Sequence, residues 1–305
     1  MLLGRRQETD PSICSNLNIP TSLELIQDFF PLFKHIYELT NDEISVKIAV
    51  KETIKEFAAD GCRYLELRST PRGNADSGMT CKSYVEALIE GSKDADIVVR
   101  WILSMDRRKS LSDNLEILSL AACFADSGVV GVDICGDPHQ GNLKDLEYLI
   151  KLAKAKNLKV TVHLAEISDR DDETEALIEA HPDRIGHGTF INPESKQNLL
   201  NRSIPLEICL TSNVFCKTVV NYSDHHFYNY MMNDHPCILC TDDKGIFNCS
   251  LSGEYLIAAK TFNLGKRELY ELSKRCIQHI FASDEIKKEL LLHWEEFELS
   301  RIDLR

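Results

Sequence analysis

The feature that most constrains this chain is an alternation repeated along most of its length. A short apolar, β-branched run gives way to a polar exit and then to a segment with helical period. The strand candidates are residues 62–69 (CRYLELRS), 97–105 (IVVRWILSM), 129–135 (VVGVDIC), 158–164 (LKVTVHL), 184–188 (RIGHG), 204–211 (IPLEICLT) and 236–241 (PCILCT). Between them lie helical patterns. Residues 41–60 carry Val46, Val50, Ile54 and Phe57 on one face, acidic residues in the first turn, and Gly61 as a stop. Residues 142–157 and 193–201 also read as helices, the second with Asn192 as N-cap and Pro193 as its first residue. Short strands that are apolar on both faces suit a parallel sheet covered by helices.

The strand exits discriminate between the two folds that such an alternation allows. Polar residues recur there: RSTPR, MDRR, CGDP, HLAE, GHG, TSN and TDDKG. A doubly wound sheet concentrates function at one switch point, usually behind a glycine-rich phosphate loop, and no G-x-G-x-x-G occurs in this sequence. A barrel gathers every exit around one mouth. The expected fold is therefore α/β, a (β/α)8 TIM-type barrel. No convincing strand precedes residue 23, so roughly seven strands are expected, with the first missing or replaced. The expected organisation is an atypical segment over 1–22 and a barrel domain over 23–305.

Charge and cysteine usage narrow the setting. A net charge of −13 disfavours nucleic acid and anionic membranes as partners. No stretch approaches the ~18 apolar residues of a membrane span, and the first residues contain no apolar signal-peptide core. The 11 cysteines are scattered and odd in number, as buried free thiols in a reducing compartment would be. The expectation is a soluble cytosolic protein, a monomer, whose partner is a small molecule.

Two adjacent carboxylates, Asp242 and Asp243, follow the apolar run Pro236–Cys240. Buried, such a pair needs a cation, a metal or a hydrogen-bond network; otherwise the loop turns out to water. His163 ends a strand and Glu166 follows three residues later. A strand-end imidazole can bind a metal, and a nearby glutamate can hold a proton beside an activated water. A satisfied histidine near a helix-start glutamate is the plainer alternative. His187 lies between Gly186 and Gly188, which allow backbone to pack around a ring. Ser69, Thr70 and Arg72, with Asp106 to Arg108 at the next exit, could hold a phosphate through the planar guanidinium fork, or could be solvated loop charges. Cys237 and Cys240 mimic half of a P-C-x-x-C zinc signature. In a strand they point to opposite faces and cannot share a metal.

The strings TVHLAE, RIGHGT, LTSN and CTDDKG, with GVDICGDP upstream, resemble the adenosine deaminase superfamily. EFAADGCRYLELRSTPR, MDRR, PDRIGHGTFIN, IPLEICLTSNV and TDDKGIF are more similar to its adenosine-deaminase-like branch, which acts on N6-methyl-AMP. The resemblance runs from about residue 23 to the C-terminus and implies a zinc-bearing barrel with one Zn2+ per chain. By motif, His163 and Asp242 would ligate the metal, Glu166 would protonate the purine ring, and His187 would orient the attacking hydroxide. Asp243 and Gly136 would hold the base, and Ser69, Thr70, Pro71, Arg72 and Asp106 would lie along the nucleotide. The implied reaction is hydrolytic deamination of N6-methyl-AMP to IMP and methylamine, a step of purine nucleotide metabolism.

The sequence departs from the family pattern in one main respect. The family draws two further zinc ligands from a His-x-His at the end of its first strand, and no His-x-His occurs here. A catalytic zinc takes three protein ligands and a water, so the expected site is incomplete. Tyr37 also stands where the branch often has histidine. The competing expectations are an inactive nucleotide-binding paralogue or isoform, adenosine as the substrate, and a metal-dependent barrel hydrolase of another kind.

Overall fold

A computed structural model describes Pro20 and residues 22–300. The expectations for the rest of the first 22 residues lie outside the described residues. Seven strands form one sheet, all parallel, in sequential order: β1 (Tyr64–Ser69), β2 (Val98–Asp106), β3 (Val129–Cys135), β4 (Lys159–Leu164), β5 (Arg184–His187), β6 (Leu206–Ile208) and β7 (Cys237–Leu239). Each pairs only with its sequence neighbours, from Tyr64 opposite Val98 to Ile208 opposite Leu239. Among the described residues, no strand joins the outer edges of β1 and β7. The sheet is a barrel wall open on one side.

Local chemistry explains where the helices start. Asp42 accepts from the Ser45 N–H at 2.7 Å and caps helix Glu43–Ala59, whose Val46, Val50, Ile54 and Phe57 are buried as its period requires. Thr80 with Ser83 and Ser110 with Asp113 form reciprocal caps on the helices after β1 and β2. Asn192 caps helix Pro193–Arg202 with Pro193 at its first position. β6 and β7 are shorter than their apolar runs suggest. Residues 210–211 open helix Leu210–Phe215 instead of extending β6. A short apolar run cannot by itself distinguish a strand from a buried helix.

The helices bury the outer face of the sheet, but its inner face is unusually charged for a barrel. Arg184 on β5 pairs with Glu66 of β1 at 2.6 Å and with Glu207 of β6 at 2.8 Å. Arg68 of β1 reaches the same Glu207 at 2.6 Å and Asp133 of β3 at 3.6 Å. Charges this deep persist only when paired. The network ties β1 to β3, β5 and β6 across the interior, including across the open side. Above it, a second apolar cluster of Leu23, Phe29, Phe215, Ile246 and Phe247 holds the N-terminal described segment over the mouth. Phe29 stacks on Phe247 at 5.3 Å there.

Candidate active site

A cavity of about 1520 Å³ runs down from the mouth and is lined by Ser69, Thr70, Arg72, Asp106, Gly136, His163, Glu166, His187, Asp242 and Asp243. Of the candidate site residues singled out in the sequence, Pro71 and Arg107 are absent from that lining; both are buried. The exits of β4, β5 and β7 bring four groups together. His187 Nε2 lies 3.8 Å from Glu166 Oε2 and 3.7 Å from Asp242 Oδ2. The rings of His163 and His187 are 5.5 Å apart.

The backbone at these exits is bent out of ordinary strand geometry. Ala165, His187 and Asp242 have φ of 54°, 63° and 53°. Left-handed conformations cost non-glycine residues energy and cluster at functional sites. The turn after Ala165 is closed by Phe190 N–H donating to its carbonyl at 2.8 Å. The His163 ring packs on Gly186, where a Cβ would stand 3.3 Å from two ring carbons.

His163 and Asp242 each have a partner deeper in the fold. Asp133 Oδ1 is 2.9 Å from His163 Nδ1, and Ser104 Oγ donates to Asp133 Oδ2 at 3.1 Å. Burial opposes charge on His163, but the Asp133 carboxylate outweighs it and pushes the imidazole up to about 10. Ser212 Oγ donates to Asp242 Oδ2 at 2.8 Å. Burial, and then the adjacent Asp242 carboxylate, hold the Asp243 carboxyl well above the usual range. Burial also works against the Glu207 carboxylate beneath, yet Arg68 and Arg184 bring it down to about 2.

The opposite wall, from the exits of β1 to β3, is built of satisfied groups. Arg72 donates to Tyr84 Oη at 2.9 Å and to the Thr40 carbonyl at 2.9 Å, and also to the Thr40 hydroxyl. Its guanidinium lies 4.4 Å from the Tyr37 ring centroid and 4.8 Å from that of Tyr84. Asp106 accepts from Arg108 Nε at 2.9 Å and from the Arg108 backbone N–H at 2.9 Å. Arg107 turns away, donating to Glu173 at 2.7 Å and to the Gln140 carbonyl at 2.7 Å. Gly136 has φ 101°, and a Cβ there would stand 2.3 Å from Asp106 Oδ1, so no other residue fits unaltered.

His163 and Asp242 have the chemistry of metal donors. A carboxylate behind a histidine's other nitrogen is a usual support for a zinc ligand, and Asp133 supplies it. Among the described residues, one grouping of three possible donors is close enough to share an ion: His187, Cys209 and Asp242, within 4.8 Å of one another. The sequence reading had given no role to Asp133, Ser212, Asn213, Cys209 or Glu207. For Asp133 and Glu207 a signal was present, an acidic residue in the middle of an apolar strand, which has to face a charged interior.

The family model described as adenosine deaminase matches residues 8–296 of this chain. The N6-methyl-AMP deaminase of Danio rerio is 42% identical over 305 residues, covering 92% of this chain and 87% of that protein. The Homo sapiens N6-methyl-AMP deaminase is 43% identical over 284 residues, covering 88% and 80%. Among solved structures, arabidopsis ADAL complexed with IMP superposes with a TM-score of 0.92 at 32% identity, covering 99% of this chain and 92% of that one.

Proposed function

The chain belongs to the adenosine deaminase family, and from that premise we propose that it hydrolyses N6-methyl-AMP to IMP and methylamine. The carrying observation is that His187 lies within 3.8 Å of both Glu166 and Asp242, from three strand exits, beside Asp243 in the cavity lining. In this reading Glu166 delivers a proton to the purine ring as its C6 is attacked. His187 holds the attacking oxygen by hydrogen bond. Asp243 holds the base by a hydrogen bond. Gly136, without a side chain, leaves room for the base edge. The phosphoribosyl part is assigned to the wall of Ser69, Thr70, Pro71, Arg72 and Asp106, where the Arg72 side chain lines the cavity.

His163 and Asp242 would hold a zinc ion, which when bound supplies an activated water. The described residues fit that group in donor chemistry and in the Asp133 support, but provide two of the three ligands expected. A cytosolic setting and action as a monomer remain part of the proposal; among the described residues, no helix is long and apolar enough to cross a membrane.

The test is methylamine release. The chain, supplied with Zn2+, is expected to turn over N6-methyl-AMP in preference to adenosine and AMP. Binding of IMP with no turnover of any of the three would replace this reading by that of a nucleotide-binding relative.

A further inference from the structure

We propose that Asn213, held in one orientation by His225, fixes the tautomer of His187, so that the ring presents Nε2–H to the reaction zone. The inference rests on the reading of His187 as the group that hydrogen-bonds the attacking oxygen, and it adds two positioning residues to it.

Phe227 N–H can only donate, and it lies 3.1 Å from His225 Nδ1. That nitrogen must therefore accept. His225 is buried, and burial together with His226 and His187 pushes it down to about 2, which supports a neutral ring. A neutral ring that accepts at Nδ1 carries its proton on Nε2. Nε2 is 3.1 Å from Asn213 Oδ1, so it donates to the carboxamide oxygen.

A second contact orients the same carboxamide independently. Thr218 Oγ1 donates its one hydrogen to the Asn213 backbone carbonyl at 3.2 Å and is left as an acceptor for Asn213 Nδ2 at 2.9 Å. Oxygen toward His225 and nitrogen toward Thr218 is the one arrangement that satisfies both neighbours. The Nδ2 group then lies 3.3 Å from His187 Nδ1, a donor facing it. His187 accepts at Nδ1 and keeps its proton on Nε2, aimed between Glu166 Oε2 and Asp242 Oδ2. His226 Nε2 donates to the His187 carbonyl at 2.8 Å, which holds the main chain of that residue in its left-handed turn.

This decides between two uses of one ring. To serve as a donor in the grouping with Cys209 and Asp242, His187 would need a lone pair on Nε2. The Asn213 carboxamide opposes that tautomer. His187 is kept as a hydrogen-bond donor, out of the ligand set.

The tautomer can be read directly by long-range proton–nitrogen NMR on the metal-free, substrate-free chain with nitrogen-15-labelled histidine. A His187→Gln sample identifies the resonance. The expected result is a protonated Nε2 and a bare Nδ1 for both His187 and His225. In Asn213→Asp the carboxylate faces His187 and calls for a proton on Nδ1, so the His187 pattern should reverse. The same variant should lower kcat roughly 100-fold while KM for N6-methyl-AMP changes less than about threefold, in keeping with the scale of proton-transfer contributions. A wild-type His187 protonated on Nδ1 would overturn the proposal without any variant. So would an Asn213→Asp protein that folds and keeps the wild-type pattern. Because the spectrum needs neither metal nor turnover, an absence of deaminase activity would overturn the substrate assignment and leave this one standing.

Discussion

The two walls of the cavity use polar side chains in opposite ways. At the exits of β4, β5 and β7, Glu166, His187 and Asp242 face one another across 3.7–3.8 Å. From behind, Ser212 holds Asp242, Asn213 holds His187, and Asp133 holds the neighbouring His163. At the exits of β1 to β3, Arg72, Arg107 and Arg108 are already engaged with Tyr84, Glu173 and Asp106. The first wall keeps hydrogen-bonding capacity toward the cavity and is braced by deeper partners. The second satisfies itself and gives the cavity its shape. A charged residue at a strand exit is therefore not enough to define a reactive group; what matters is whether its partners lie behind it or in front of it.

The difference is sharpest in the expected effects of substitution. Glu166→Gln on the reactive wall should lower kcat on N6-methyl-AMP by about 10²–10⁴, the range of a lost general acid, with KM little changed. Beneath both walls, Arg184→Met would take away the ion-pair partner of Glu66 and leave Glu207 with Arg68 alone. It should cost about 3–5 kcal/mol in denaturant unfolding, as breaking a buried ion pair from one side does. On the shaping wall, Arg72→Met should mainly raise KM for nucleotides, by about tenfold, the scale of one hydrogen bond to a charged group. If it lowered kcat as much as Glu166→Gln does, the contrast between the walls would fail.

Acid should weaken the barrel from its interior. Glu207 has its folded pKa depressed from 4.5 to about 2. A depressed carboxylate contributes stability that is fully present above the unfolded value and is lost as pH falls toward the folded one. Unfolding free energy measured against pH should decline between 4.5 and 2, and Glu207→Gln should flatten that part of the profile. The smallest effect is expected far from either wall. Lys82 and Glu86 form an exposed i,i+4 pair at 3.7 Å, and Lys82→Ala should change stability by about 0.5 kcal/mol or less.

Much of this was legible in the sequence because it is periodic or local. The βα alternation named the fold class, and Asn192–Pro193 marked a helix start that the structure reproduces. His163, Glu166, His187, Asp242 and Asp243 sit at strand exits, and a barrel brings such exits together whatever lies between them. The misses are of another kind. Leu210 and Thr211 read as strand, yet the chain turns helical once β6 passes Ile208. That Gly186 also makes room for the His163 ring on the neighbouring strand is not visible in the sequence. The Asn213–His225 contact joins residues twelve apart across an irregular loop, and no period connects them. Local spacing identifies which groups stand at the mouth; which partner each holds is a tertiary fact.

The most direct measurement is methylamine release from N6-methyl-AMP by the zinc-supplied 305-residue chain, run beside its Glu166→Gln variant. The account predicts turnover by the first, reduced about 100-fold or more in the second. No turnover by the first, or equal rates in both, would contradict it.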